Sequence, residues 1–303
     1  MSGRDPVERI VDAGGRPVRV LERGAGDAAV VLLHGGMHGH SPWIGAADLW
    51  APLMREMPAG ERVIALDMPG CGGTPIADVG ELTIAGAAER VAQTLTALGV
   101  RTAVPVGHAE ASLVALLLAR EEVEGLRVPA AAVIAASGAA PTSDGVPPVA
   151  LMHPPRPRGS AASIRWALDH VSYSDAHITD ALVQALARHA EGDAQRAAAE
   201  QAASQATALM LESDLLGAKL AFFAHCRDVG YDVPLSIIWG SHDPLLSVAH
   251  GDGLFELMST TSAELDFNLV NRVGHLPFSE DPAATRRLLE PFVARALATE
   301  AVR

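Results

Sequence analysis

Unbroken apolar runs separated by helical stretches constrain this chain more than any other feature. Ala29–Leu33, Val63–Leu66, Ala103–Val106 and Ala130–Ala136 are short runs with no charged residue. A strand with one face in water alternates polar and apolar residues. A strand without that alternation is buried on both faces, as in a parallel sheet covered by helices. A helix over roughly 82–98 follows the second run, and another from about Ala111 to Arg120 follows the third. Val18–Leu21, just after a proline, reads as a further short strand. Strands alternating with helices predict an α/β fold with a doubly wound, mostly parallel sheet.

The pattern then breaks. Residues 138–160 are rich in Pro, Gly and Ser, and from Ala161 to about Ala224 the reading is purely helical. The Ala-rich stretch 194–211 is interrupted by Arg196, Glu200, Gln201 and Gln205, which makes it a helix rather than a membrane span. Strands resume at Pro234–Trp239 and Ala263–Leu269, and a last helix starts at Asp281–Pro282, a cap residue followed by Pro at the first helical position. We therefore expect a core from 1–140 and 230–303, with 141–229 inserted as a helical cap. A chain of 303 residues can bury that core without disulfides or metals.

The net charge of −13 excludes nucleic acid and anionic lipid surfaces as partners, because both need a basic face. Cys71 and Cys226 are too few and too far apart for a disulfide framework. The charged start MSGRDPVERI is unlike a signal peptide, so the expected location is cytoplasmic. His34, His38 and His40 sit in a Gly-rich loop without a standard ligand spacing, so no metal is expected. No cofactor motif is present; Gly70–Gly73 lacks the Lys of a phosphate loop. The expected partner is a small-molecule substrate, and a homodimer is compatible with the sequence.

Three strand ends carry chemistry. Val-Gly-His-Ala-Glu-Ala at 106–111 is a Gly-x-x-x-small turn between strand and helix. Such a turn pushes its central residue into a pocket and aims backbone N–H groups at an incoming oxyanion. Ile-Trp-Gly-Ser-His-Asp-Pro at 238–244 places Asp243 after a buried strand, where a carboxylate can orient an imidazole. Val-Gly-His-Leu-Pro at 273–277 supplies that imidazole as His275.

The order nucleophile position, acid, histidine resembles that of the α/β-hydrolases, and the likeness covers essentially the whole chain. Leu-His-Gly-Gly at 33–36 is similar to their oxyanion loop, and Asp67-Met-Pro-Gly70 to their next strand-end loop. The resemblance implies an α/β-hydrolase fold with an oxyanion hole at Gly36, Met37 and Glu110. His34, Gly35, His108 and Leu276 are the candidate substrate contacts around it, with Arg165 and Trp166 from the cap. Within the family the likeness is greatest to the meta-cleavage-product hydrolases, which hydrolyse carbon–carbon bonds. His177-Ile-Thr-Asp-Ala-Leu-Val is similar to the start of their cap helix. Three positions depart from that pattern: Leu186 stands where an arginine is usual, Leu276 where Trp is usual, and His108 where Asn is usual.

The largest departure is Ala109, at the nucleophile position. A methyl group cannot attack a carbonyl, so the covalent serine route is closed to the chain as it stands. With serine there, the elbow would read Gly-His-Ser-Glu-Ala, and the expected activity would be hydrolysis of an ester, lactone or carbon–carbon bond in a small, largely apolar carbonyl compound. With alanine native, the Asp243–His275 dyad would serve non-covalent acid–base chemistry: a lyase, a cyclase or direct attack by water. A ligand-binding protein without catalysis is the third reading; a receptor, however, has no need of a linked dyad.

Overall fold

A computed structural model describes residues 5–41, 43, 45–141, 151, 153–262 and 264–298. Part of the Pro/Gly/Ser-rich stretch, 142–150 and 152, lies outside the described residues, as does Ala263. The strands are β1 (Val7–Asp12), β2 (Pro17–Arg23), β3 (Ala28–Leu33), β4 (Val63–Leu66), β5 (Thr102–His108), β6 (Ala131–Ile134), β7 (Leu235–Gly240) and β8 (Leu265–Val270). They form one sheet in the order β1-β2-β4-β3-β5-β6-β7-β8. β1 and β2 pair antiparallel, as do β2 and β4; every other pairing is parallel.

The apolar runs are apolar because alternate residues serve different cores. Val31 and Leu33 pack on one face of the sheet with α2 (Ile84–Ala97) and α3 (Ala111–Arg120), whereas Val30 and Leu32 pack on the other with Trp50 and Leu289. Two elements carried no such signal. In β1 both Val7 and Ile10 are exposed, since an edge strand needs no buried face. Helix α8 (Val248–Ser259) buries only His250, Gly251, Leu254 and Met258, a stripe too thin to stand out.

Among the described residues, four α-helices lie between β6 and β7: α4 (Ala161–Val171), α5 (Asp180–Ala190), α6 (Asp193–Ala202) and α7 (Gln205–Asp228). Ser160, Thr179 and Ser204 cap α4, α5 and α7 with side-chain oxygens that accept backbone N–H bonds. The end of α7 belongs to the core, because Phe222 and Cys226 are fully buried in the cluster that holds Leu235 and Trp239. A buried ion network ties the helices down elsewhere. Arg19 bonds Asp67 and Asp48, and Asp48 in turn pairs with His189 of α5 at 3.1 Å.

Parallel register brings the decisive strand ends to one edge. Leu33 faces Gly107, His108 faces Ile134, and Gly240 faces Val270. The loops after β3, β5, β7 and β8 therefore leave the sheet on the same side, the usual place for a site in an open α/β sheet.

Candidate active site

Ala109 ends the elbow in the left-handed region, at φ 50°. For an L-residue this costs about 1–2 kcal/mol. Neighbours impose it: the Ala109 carbonyl accepts the Gly138 N–H at 3.1 Å and the Ser112 hydroxyl at 2.7 Å. Gly107 is required, since a Cβ there would lie 2.4 Å from the Ala111 carbonyl oxygen. The elbow keeps its shape with no nucleophile in it.

Asp243 and His275 meet. The His275 Nδ1–H donates to Asp243 Oδ2 at 2.8 Å. The other Asp243 oxygen accepts the N–H groups of Leu245 and Leu246 at 2.8 and 3.0 Å, so the carboxylate cannot turn. Burial alone would lower the His275 pKa. The Asp243 charge and hydrogen bond override it, Glu280 and the ionised form of Glu110 add to them, and the net direction is upward. With Nδ1–H committed to Asp243, Nε2 is left as the basic atom.

The residues expected to touch substrate are mostly wired into the backbone instead. His108 Nε2–H donates to the His275 carbonyl at 2.9 Å, and its Nδ1 accepts the Gly35 N–H at 3.3 Å. Both bonds together require the neutral ring, and burial holds its pKa well below the ordinary value. His34 is likewise buried and neutral: its Nδ1–H meets the Gly35 carbonyl at 2.8 Å, and its Nε2 accepts the Met68 N–H at 3.0 Å. Met37 and Leu276 are core residues, 2% and 0% exposed. Arg165 turns to the Ile178 carbonyl and to Asp180 within the cap block. Trp166 does face a cavity.

That cavity, of about 450 Å³, lies between α4, α5 and α6 and the loop after β3. Trp43, Leu151, Ile164, Trp166 and Leu186 make it largely apolar, and His38 and Arg158 add polar groups. Burial lowers the His38 pKa to about 4, so its ring is neutral there. Ala109, Asp243 and His275 do not line this cavity. The link is Trp43, whose ring lies 6.2 Å from His108, which in turn lies 4.8 Å from His275.

Gly35 and Gly36 sit at the centre of the site. A Cβ on Gly35 would come within 2.5 Å of the Ala109 methyl, 3.0 Å of His108 Nδ1 and 3.1 Å of Glu110 Oε2. The Gly36 N–H, expected to hold an oxyanion, donates to Glu110 Oε2 at 3.0 Å.

A residue that the sequence reading passed over is Glu280, on α9 (Pro277–Glu280). One oxygen accepts the N–H groups of Gly274 and Leu276 at 2.9 and 3.3 Å, and the other those of Tyr173 and Ser174 at 2.8 and 3.4 Å. It clamps the histidine loop to the segment after α4. Its sequence signal is a carboxylate five residues beyond His275. Among the described residues no three His, Cys, Asp or Glu gather to hold a metal, and no helix is long and apolar enough to cross a membrane.

The model of the Alpha/beta hydrolase family matches residues 30–288. The chain belongs to this family. A RutD protein of Variovorax paradoxus (strain S110), named for carbamate hydrolysis, is 36% identical over 107 residues, 35% of this chain and 38% of that relative. The match thus spans well under half of the curated relative's length. Among solved structures, the 2-hydroxy-6-oxo-6-phenylhexa-2,4-dienoate hydrolase of Rhodococcus sp. strain RHA1 superimposes with a TM-score of 0.71 at 16% identity, covering 97% of this chain and 99% of that one. A serine-to-alanine mutant of the meta-cleavage product hydrolase CumD of Pseudomonas fluorescens IP01 also gives 0.71, at 20% identity over 95% of this chain and 98% of that one. At such identities the likeness establishes the α/β-hydrolase fold. The family's relatives include named hydrolases of small substrates.

Proposed function

We propose that this α/β-hydrolase-fold chain is an enzyme acting on a small, largely apolar carbonyl compound by acid–base chemistry of the Asp243–His275 dyad, with no covalent enzyme intermediate. One observation carries the reading: His275 is held in a single tautomer by Asp243 at 2.8 Å, beside an elbow that ends in a methyl group. The Nε2 atom can remove a proton from carbon, from a hydroxyl group or from water. A positioned base of this kind contributes about 10²–10⁴-fold. The apolar cavity between α4–α6 and the loop after β3, joined to the dyad through Trp43 and His108, favours a substrate with a hydrocarbon body.

The test compares wild type with His275→Ala on small aryl ketones and lactones, followed by proton NMR. Proton exchange or turnover in the wild type that falls at least a hundredfold in the variant supports the reading. Equal rates reject it. Tight binding with no turnover in either protein makes the chain a receptor.

The preserved elbow at φ 50° favours a second reading, in which the scaffold suits the serine route and lacks only the hydroxyl. Under that reading Ala109→Ser hydrolyses p-nitrophenyl butyrate faster than the wild type. An unchanged rate would mean that the pocket does not support acyl transfer.

A further inference from the structure

The N–H groups that the fold presents to an oxyanion come from the residue after the elbow position and from the loop after β3. Here they are those of Glu110 and Gly36. One of them is directed at the carboxyl of Glu110 itself: the Gly36 N–H donates to Oε2 at 3.0 Å. The side chain is buried, at 7% exposure, and lies next to the Ala109 methyl across Gly35. One of the two oxyanion donors is therefore already occupied by a carboxyl group of this chain, which lies beside the elbow position.

We propose that Glu110, seated by the Gly36 N–H, is the acid of the site: it gives its carboxyl proton to the carbonyl oxygen of a small ketone while His275 takes a proton from the adjacent carbon. The inference deepens the acid–base reading above and rests on it. In the forward step Nε2 of His275 accepts the α-proton. The C–H electron pair becomes the new C=C bond, the carbonyl π pair moves to oxygen, and that oxygen takes the Glu110 proton. The products are an enol, the Glu110 carboxylate and the His275 imidazolium. Transfer of the imidazolium proton to the same carbon or to a conjugated one, with the enol O–H proton returned to the Glu110 carboxylate, regenerates the enzyme and yields an exchanged or isomerised ketone. No oxidant or further reactant is needed.

The surroundings suit an acid. Burial raises the Glu110 pKa, against the N–H bonds that lower it. The titratable groups that face it are His275 and His40, whose positive forms favour the anion, and Cys71, whose thiol burial keeps protonated. A carboxylic acid kept neutral in an apolar site can donate to a developing oxyanion. Removing one such donor costs about 10²–10³-fold in rate.

The experiment has two parts. In protein labelled with ¹³C at glutamate carboxyls, the Glu110 signal is assigned by its loss in Glu110→Gln and followed against pH. It should report a protonated carboxyl at neutral pH; an ionised one overturns the proposal. In D₂O, α-deuteration of phenylacetone is then measured for the wild type, Glu110→Gln, Glu110→Ala and His275→Ala. Glu110→Gln keeps an oxygen for the Gly36 N–H, so it keeps the fold, but it cannot transfer a proton. Both Glu110 variants should lose about a hundredfold or more in exchange. Exchange in Glu110→Ala as fast as in the wild type would mean that the freed Gly36 N–H suffices, and would overturn the inference. Loss in His275→Ala alone removes Glu110 and leaves the dyad standing. No loss in His275→Ala, or no wild-type exchange above the buffer rate, ends both.

Discussion

The Glu280 carboxylate accepts the backbone N–H of Gly274 at 2.9 Å. The same carboxylate takes the N–H of Tyr173, just beyond the cap helix that delivers the Val171 carbonyl to the His275 N–H at 2.8 Å. The loop that carries His275 and the segment at the end of α4 are thus stitched together twice, by a side chain and by a backbone bond. Position of the cap and position of the imidazole are one variable.

Replacing Glu280 by Gln tests the clamp. The amide keeps one accepting oxygen but turns an NH₂ group toward the backbone donors, and each buried unsatisfied donor costs about 1–3 kcal/mol. We expect a loss of that order in urea unfolding. Because the Glu280 charge helps to raise the His275 pKa, the variant's imidazole should also titrate lower, read by NMR. A destabilised variant with an unmoved His275 titration would confine Glu280 to structure.

The dyad makes its own pH prediction. His275 is raised above its ordinary pKa, with Asp243 the strongest raising influence. In Asp243→Asn the imidazole should therefore titrate lower than in the wild type. The sign for stability follows. A raised folded-state pKa contributes stability that is complete below the unfolded value and is lost as pH rises through the folded one. The wild type's advantage over Asp243→Asn should be largest in mildly acidic solution and shrink as His275 deprotonates. Unfolding curves over that range check it, and an advantage that grows with pH would contradict the ion-pair account.

Ala109 stores backbone strain without a hydroxyl to present. Glycine removes the penalty of about 1–2 kcal/mol at positive φ, but it loosens the unfolded chain by about 0.5–1 kcal/mol. Ala109→Gly should accordingly be more stable than the wild type by roughly 0.5–1 kcal/mol, seen as a higher denaturant midpoint at unchanged slope. A fall in stability would show that the methyl packs better than the backbone is strained.

What could be read in the sequence followed from local pattern. Ala29–Leu33 and Val63–Leu66 announced strands buried on both faces, Gly107 with Ala109 announced an elbow, and the order of Asp243 and His275 announced the fold of the family. These are statements about neighbours along the chain, where periodicity and turn chemistry act. Strand β1 escaped because an edge strand buries too little to impose a pattern, and Glu280 escaped because its partners Tyr173 and Ser174 lie more than 100 residues away in sequence.

Tertiary structure decided which way the polar groups face. His34 and His108 were placed at the substrate by sequence, yet their rings are occupied by backbone groups that parallel strand packing brings to them. Glu110 stands 74 residues from Gly36, and nothing local directs its carboxyl to that N–H. Only closing β3 against β5 in register does so. A hydrogen bond between distant segments depends on where the whole sheet puts them, and composition and spacing carry no record of that.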